Sequence, residues 1–233
     1  MTGEREALLA GLAGRLGHRF HDLALLDRAL THASQANESQ AADRGRDNEP
    51  LEFLGDAVLG LAVTDLLHRH DPEGSEGRKS RRRAALVKAA SLARRAEALG
   101  LVPLLRLGRG EEKTGGRAKA ALWADAYEAV VAALYLDGGF EAARRFVEAE
   151  FAGDLAAPDS ASEDPKSLLQ ERLQGQGRPL PAYTVVSEAG PSHERQFRIE
   201  CRLDDGTVTT GEGPSKKTAQ QEAARLALER LRG

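Results

Sequence analysis

Asn48-Glu49-Pro50-Leu51-Glu52-Phe53-Leu54-Gly55-Asp56-Ala57-Val58-Leu59 sets three acids into a run that is otherwise mostly apolar. On a helix advancing about 100° per residue, Glu49, Glu52 and Asp56 share a stripe roughly 60° wide. Leu51, Phe53, Leu54, Ala57, Val58, Leu59 and Leu61 take up most of the remaining circumference. A surface helix shows a broad polar face opposite an apolar one. This stripe has hydrophobic shoulders on both sides, so the helix is expected to be largely buried, with its acids facing a cleft. Asn48 is the expected N-cap, and Pro50 falls in the first turn, where its missing N–H removes no helical bond.

Carboxylates crowded into a poorly solvated cleft repel one another, so their pKa values rise or a cation joins them. A hard divalent ion with oxygen ligands answers that need, and Mg²⁺ takes a few carboxylates while keeping several waters. The same spacing also suits a helix whose acids reach solvent or pair with arginine.

A second acidic pair follows in Leu122-Trp123-Ala124-Asp125-Ala126-Tyr127-Glu128-Ala129-Val130. Asp125 and Glu128 are three apart and share a helix face. The alanines around them keep the surface slim enough for close approach to the first acidic helix, whose ligand set they would complete. This helix runs to Leu136, Gly138-Gly139 ends it, and Phe140 to Phe151 form another.

Outward from these two stretches, the 233 residues suffice for one or two domains. No apolar run is long enough to span a membrane. Residues 1–16 lack the uninterrupted apolar core of a signal peptide, so a cytoplasmic protein is expected. Cys201 is the single cysteine and can form neither an internal disulfide nor a zinc site. The net charge of −3 does not point to nucleic acid, yet its distribution matters more than its total. From Arg78 to Arg95 there are eight basic residues and no acid, a pattern that suits a solvated helix face or a phosphate contact. Leu8, Leu9, Leu12 and Leu16 mark a first helix. Asp22 caps a second, which carries Leu23, Leu26 and Leu30. His32 reads as a hydrogen-bonded structural histidine, since no Ser or Cys nucleophile motif accompanies it. Glu73 to Gly77 form a turn, with Glu76 in it. Ser80 to Leu99 read as one amphipathic helix with Leu86, Val87, Ala90, Leu92 and Ala93 inward. Residues 108–119 are glycine-rich but are no phosphate-binding loop, because neither a preceding strand nor a Gly-Lys-Ser/Thr ending is present.

Residues 154–163 contain Pro, Ser and acids without hydrophobic period and read as a linker. Beyond them the pattern changes to a helix through Leu168, Leu169 and Leu173, then strands around Tyr183 and Val185. Phe197, Ile199, Cys201 and Leu203 alternate with polar residues, as in a half-exposed strand. Asp205-Gly206 turns into a third strand, and Ser215 to Leu231 form a last helix. Lys216 and Lys217 open that helix. Cations there oppose the helix dipole, and the placement makes sense if an anion sits at the free N–H groups.

The run from Asn48, the stretch around Asp125 and Glu128, Ala29-Leu30-Thr31-His32, and the helix–three strands–helix order together resemble bacterial ribonuclease III. The resemblance extends from near the start of the chain to its end. It implies an all-α endonuclease domain at residues 1–153, the linker at 154–163, and an α-β-β-β-α double-stranded RNA-binding domain at 164–233. It further implies a homodimer that cuts double-stranded RNA, leaving 5′-phosphate and 3′-hydroxyl ends, with ribosomal RNA precursors and other structured transcripts as substrates. Glu52, Asp56, Asp125 and Glu128 would hold Mg²⁺, two ions per active site when RNA is bound, with Asp56 and Glu128 as the catalytic positions. Glu49 and Glu76 would shape the cleft or meet RNA. Gln170, Glu171, His193, Lys216 and Lys217 match positions that meet RNA. Pro50 departs from the usual Arg, and Gln220 from a frequent Glu. The alternatives are an RNA-binding regulator without catalysis and a nuclease acting on DNA. A shape-reading RNA-binding domain argues against the second.

Overall fold

Local signals set most helix boundaries in the computed structural model, which describes residues 2–38, 46–156, 165–191 and 195–231. Helix α1 (Gly3–Arg15) follows Thr2, whose hydroxyl oxygen accepts the Arg5 N–H. Helix α2 (Leu23–Ala29) follows Asp22, whose carboxylate accepts the Ala24 N–H at 2.8 Å, as expected. Helix α3 (Ala33–Glu38) is short, and α4 (Glu49–His70) is the long acidic helix. Asn48 stands at its N-cap position but is no side-chain cap, because its own backbone is already helical (φ −84°, ψ −13°). Asp47 accepts the Glu49 N–H at 3.1 Å instead. The buried Asn48 donates its N–H to the Thr31 carbonyl at 2.9 Å.

The helix expected from Ser80 to Leu99 is two helices. Helix α5 (Glu76–Val87) begins inside the expected turn, where the Ser75 hydroxyl oxygen accepts the Arg78 N–H, and α6 (Ala89–Ala98) follows. Lys88 is extended between them (φ −63°, ψ 143°). On one straight helix Leu86 and Leu92 would lie about 120° apart. The break turns both inward and leaves Ala90 exposed, contrary to expectation. After the short helix α7 (Arg109–Lys113) comes α8 (Ala120–Ala156), kinked at Gly139. The φ of 71° there favours glycine and separates the two helices read from the sequence.

The chain divides into two compact units, residues 1–158 and 159–233. At the centre of the first, α4 lies against α8. Leu59, Ala62 and Val63 from one helix and Ala126, Ala129, Val130 and Ala133 from the other are all fully buried. Gly55 makes the closest approach. A Cβ added there would stand 1.9 Å from the Glu128 carbonyl oxygen, so the helices meet backbone to backbone. One shoulder of α4 is not buried as expected: Phe53 is 85% exposed and Leu61 58%. With Ala57 they form one edge of the helix about 80° wide. Leu8 also faces outward, at 48%.

Much of the basic run is used inside the unit. Arg78 pairs with Asp71, and Arg83 donates to the Thr64 hydroxyl. Arg82 donates to the Asp154 and Leu155 carbonyls, and Arg95 reaches the Glu150 carbonyl and the Asp154 carboxylate. These two arginines thus meet the C-terminal end of α8, where free carbonyls and the helix dipole favour cations. At the kink, Asp137 collects His18 Nε2 at 2.7 Å, the Asp22 N–H at 2.9 Å and the His21 N–H at 3.0 Å. Burial works to raise its carboxyl, but these donors outweigh burial and bring it down to about 2.

In the second unit, α9 (Pro165–Gly175) precedes β1 (Ala182–Ala189), β2 (Gln196–Arg202), β3 (Val208–Gly213) and α10 (Lys216–Arg230). The strands pair antiparallel in the order β1-β2-β3. Leu169 and Leu173, Ile199 and Cys201, and Ala219, Ala223 and Ala227 are fully buried, so the apolar stripes of both helices meet one face of the sheet. Among the described residues no helix is long and apolar enough to cross a membrane.

Candidate functional site

The contact between α4 and α8 brings the two acidic stretches together. Glu52, Asp125 and Glu128 each offer a carboxylate oxygen, and these atoms lie within 4.8 Å of one another. All three side chains are half-buried. Asp56, one turn along α4 from Glu52, is exposed and lies outside this closest set, though its charge bears on both Glu52 and Glu128. Glu49 bears on Glu52. Glu76 is not among the charges acting on these acids. It opens α5 and lines a cavity of about 360 Å³ with Thr64, His68, Lys79 and Arg83.

Desolvation is the largest influence on each of the three clustered acids and pushes every carboxyl up. For Glu128, the charges of Asp56, Glu52 and Asp125 add to burial and bring it to about 7. Glu52 is raised by burial, then by Asp125, Glu49 and Asp56. Asp125 is also raised by burial, while the His32 ring and a backbone N–H partly offset that. The charged side chains bearing on Glu52 and Glu128 are thus all carboxylates. Oxygen donors at this spacing, with no lysine or arginine among their charge partners, suit a hard divalent cation.

Sequence reading missed two contributors. Gly55 sets the helix separation that puts Glu52 beside Glu128. Its signal was a glycine inside a strongly apolar helical run, where it is tolerated mainly for a packing reason. His32, a structural histidine by its sequence setting, is indeed hydrogen-bonded to Ser34, and its electrostatic influence works to lower the Asp125 carboxyl.

In the second unit, Lys216 and Lys217 are exposed in the first turn of α10. Ser215 caps that helix, its hydroxyl accepting the Thr218 N–H at 3.1 Å. The Lys216 ammonium lies 5.7 Å from the centre of the Phe197 ring, which steadies a cation there. Gln170 and Glu171 are half-buried on α9. Gln220 accepts a hydrogen bond from the Lys166 ammonium at 2.8 Å. His193 lies outside the described residues, as does most of the segment read as the linker.

Known proteins match both units. Residues 22–155 match the family model described as Ribonuclease-III-like, and residues 165–231 match the double-stranded RNA binding motif. A protein of Bordetella avium named Ribonuclease 3 is 47% identical over 224 residues, covering 95% of this chain and 86% of that one. The nuclease domain of ribonuclease III from Campylobacter jejuni superposes with a TM-score of 0.57 at 35% identity, covering 68% of this chain and 100% of that one. A second structure of that domain, described for flexibility in the region involved in dimer formation, gives 0.54 at 39% identity over 60% of this chain and 96% of that one. The paired acidic helices, the three-stranded sheet between two helices and these matches together place the chain in the ribonuclease III family of endoribonucleases, with a double-stranded RNA-binding motif at its C-terminal end.

Proposed function

We propose that the protein is a Mg²⁺-dependent endonuclease of double-stranded RNA that leaves 5′-phosphate and 3′-hydroxyl ends. The observation that carries the metal reading is the meeting of Glu52, Asp125 and Glu128 oxygens within 4.8 Å. These three acids and Asp56 would hold the cation, two ions per site with RNA in place. When bound, Mg²⁺ lowers the pKa of water and offsets charge on the phosphate and the leaving oxygen. The chain's own part is to fix the carboxylates. Glu52 and Asp56 ride on one rigid helix, Asp125 and Glu128 on another, and Gly55 locks the two at backbone contact. Asp56 is the most exposed of the four and sits where substrate can arrive. Glu128 is the most strongly raised, so it gains most from a cation. These two are the positions on which catalysis depends, while Glu49 and Glu76 shape the cleft or meet RNA.

The division into a nuclease domain (1–153), a linker (154–163) and an RNA-binding domain (164–233) is supported by the two compact units. Lys216 and Lys217 contact phosphate, with Gln170, Glu171 and His193 completing the RNA face. We take the working form to be a homodimer. The exposed edge of Phe53, Ala57 and Leu61 gives α4 an apolar surface for a second copy, and the Campylobacter jejuni domain has a region involved in dimer formation. Ribosomal RNA precursors and other structured transcripts are the proposed substrates, and the cytoplasm is the proposed location.

Glu128→Gln tests this reading, because an amide keeps the size and removes the charge. The variant is expected to bind duplex RNA at least as tightly as wild type and to cut it in Mg²⁺ slower by orders of magnitude. Cleavage at the wild-type rate across a Mg²⁺ titration would remove Glu128 from the metal site. A wild-type protein that binds duplex RNA and never cuts it would make the chain an RNA-binding regulator.

A further inference from the structure

We propose that the cavity between α1, α2 and Arg106 binds a small organic phosphate, at a site apart from the acidic cluster. Its walls share no residue with that cluster, so the inference stands independently of the metal reading.

The cavity has a volume of about 910 Å³ and is ringed by Arg5, Arg28, Arg46 and Arg106, with Asp22 and Asp27 as its acids. Four guanidiniums against two carboxylates leave an excess of two positive charges. The acids are already engaged. Asp22 caps α2 by accepting the Ala24 N–H. Asp27 serves two arginines at once, Arg5 Nε at 2.7 Å and Arg106 Nη1 at 3.2 Å. Arg28 Nε finds only a neutral acceptor, the Asp47 carbonyl at 3.0 Å. Among the described residues neither Arg28 nor Arg46 has a carboxylate partner. A ring of like charges repels itself, and an anion entering it relieves that repulsion.

Exposed arginines are commonly just solvated. This ring differs because its members are held in place beforehand. The Arg5 side chain is only 16% exposed, and its Nη1 donates to the Leu104 carbonyl at 2.8 Å. The Arg106 N–H donates to the Leu30 carbonyl at 2.8 Å, and its carbonyl accepts the His32 N–H at 3.0 Å. Arg28 is half-buried on α2. Donors fixed in advance lose little freedom on binding. Their planar forks match phosphate oxygens in pairs.

The charge excess of two matches the dianion of a phosphate monoester. The volume exceeds what a bare phosphate fills and falls in the range of small-molecule sites, about 300–1,000 Å³. Ala24, Leu25 and Ala36 supply an apolar wall for an organic body. The Thr2 hydroxyl, whose oxygen accepts the Arg5 N–H, keeps its proton for a ligand oxygen. The wall also meets the start of the acidic helix. Arg28 holds the Asp47 carbonyl, and the Thr31 carbonyl accepts the Asn48 N–H at 2.9 Å. An occupant bonded to Arg28 therefore braces the turn into α4.

The test uses the full chain in EDTA, so that no metal carries a nucleotide to the acids. Calorimetry compares adenosine monophosphate, inorganic phosphate and adenosine. We expect the nucleotide to bind at least about tenfold more tightly than phosphate, and adenosine not to bind. Arg28→Gln and Arg46→Gln should each weaken the nucleotide by about tenfold, the loss of a charge-assisted bond. Arg46 is exposed and has no bond to another described residue, so its variant tests the site without disturbing the fold. Melting followed by Trp123 fluorescence checks the Arg28 variant. Changing Lys216 and Lys217 to Ala should leave nucleotide affinity as it was. No binding of the nucleotide overturns the proposal, as does wild-type affinity in both arginine variants. Loss of binding in the lysine variant moves the nucleotide to the RNA-binding unit and overturns it too. Equal affinity for phosphate and nucleotide overturns the organic ligand. Displacement of the nucleotide by a short RNA duplex in the lysine variant assigns the ring to RNA phosphates and overturns the small-molecule site.

Discussion

Replacing Glu128 by Gln should make the metal-free protein more stable, although it removes a site residue. The ionised Glu128 carboxylate is half-buried beside Asp56, Glu52 and Asp125. Its carboxyl stands at about 7 rather than the ordinary 4.5. A displacement of that size corresponds to at most about 3 kcal/mol of strain once the group is fully ionised. Water still reaches the cluster and screens it, so about 1–2 kcal/mol is the reasonable share. The sign follows from the direction. A carboxyl raised by folding contributes most below the unfolded value near 4.5, and that contribution is lost as pH rises through about 7. Wild type in EDTA should therefore weaken between pH 5 and pH 8, and Glu128→Gln should not follow it. In a unit of this size, 1–2 kcal/mol moves Tm by roughly 3–6 °C. At pH 8 in EDTA the variant should melt higher by that amount, and at pH 5 the gap should close. Mg²⁺ at a hundred times its Kd should stabilise wild type by about 2.7 kcal/mol and the variant by much less. Trp123 fluorescence, two residues from Asp125, follows the melt. A variant that melts below wild type at pH 8 in EDTA would refute the reasoning, as would an equal Mg²⁺ shift in both proteins.

Gly55→Ala should reduce Mn²⁺ affinity more than tenfold with all four acids intact. Its methyl would stand 1.9 Å from the Glu128 carbonyl and force the two helices apart, and the overpacking should cost about 1–3 kcal/mol in a urea melt. Wild-type affinity in that variant would mean the helix spacing does not build the site. Asp137→Ala should destabilise the nuclease unit by about 1–2 kcal/mol, because it removes the one acceptor shared by the partly buried His18 ring and the exposed His21 and Asp22 N–H groups, while leaving Mn²⁺ affinity unchanged. That carboxyl is lowered to about 2, so its contribution is present above about pH 4 and is lost only as pH falls toward 2. Changing Lys216 and Lys217 together to Ala should weaken duplex RNA binding regardless of sequence and reduce the log–log salt slope by roughly two. An unchanged slope would show that neither lysine meets phosphate.

The acids themselves were legible because carboxylates in an apolar helical run are conspicuous by period alone. Glu52, Asp125 and Glu128 fell out of two short stretches and meet as expected. What holds them was harder to read. Gly55 acts by the atom it lacks, against a backbone 73 residues away in sequence. The donors around Asp137 come from more than a hundred residues upstream. Lys88 breaks a helix that its composition favours, because burying both Leu86 and Leu92 outweighs helix propensity. Phe53 and Leu61 looked like core because periodicity marks an apolar face without saying what covers it. The RNA-binding unit was read more easily, since Phe197, Ile199, Cys201 and Leu203 alternate with polar residues and Asp205-Gly206 marks the turn after them.

Cys201 is the chain's one thiol and Trp123 its one indole, and they lie in different units. The thiol is fully buried, and burial also pushes its pKa up, so both access and ionisation shield it from a thiol reagent while the sheet is closed. The indole N–H is held by the Arg117 carbonyl at 2.8 Å in the segment leading into α8. Each half of the molecule therefore carries a native reporter. Thiol labelling times the opening of the RNA-binding half, and indole emission times the opening of the nuclease half, in one sample with no engineered residue.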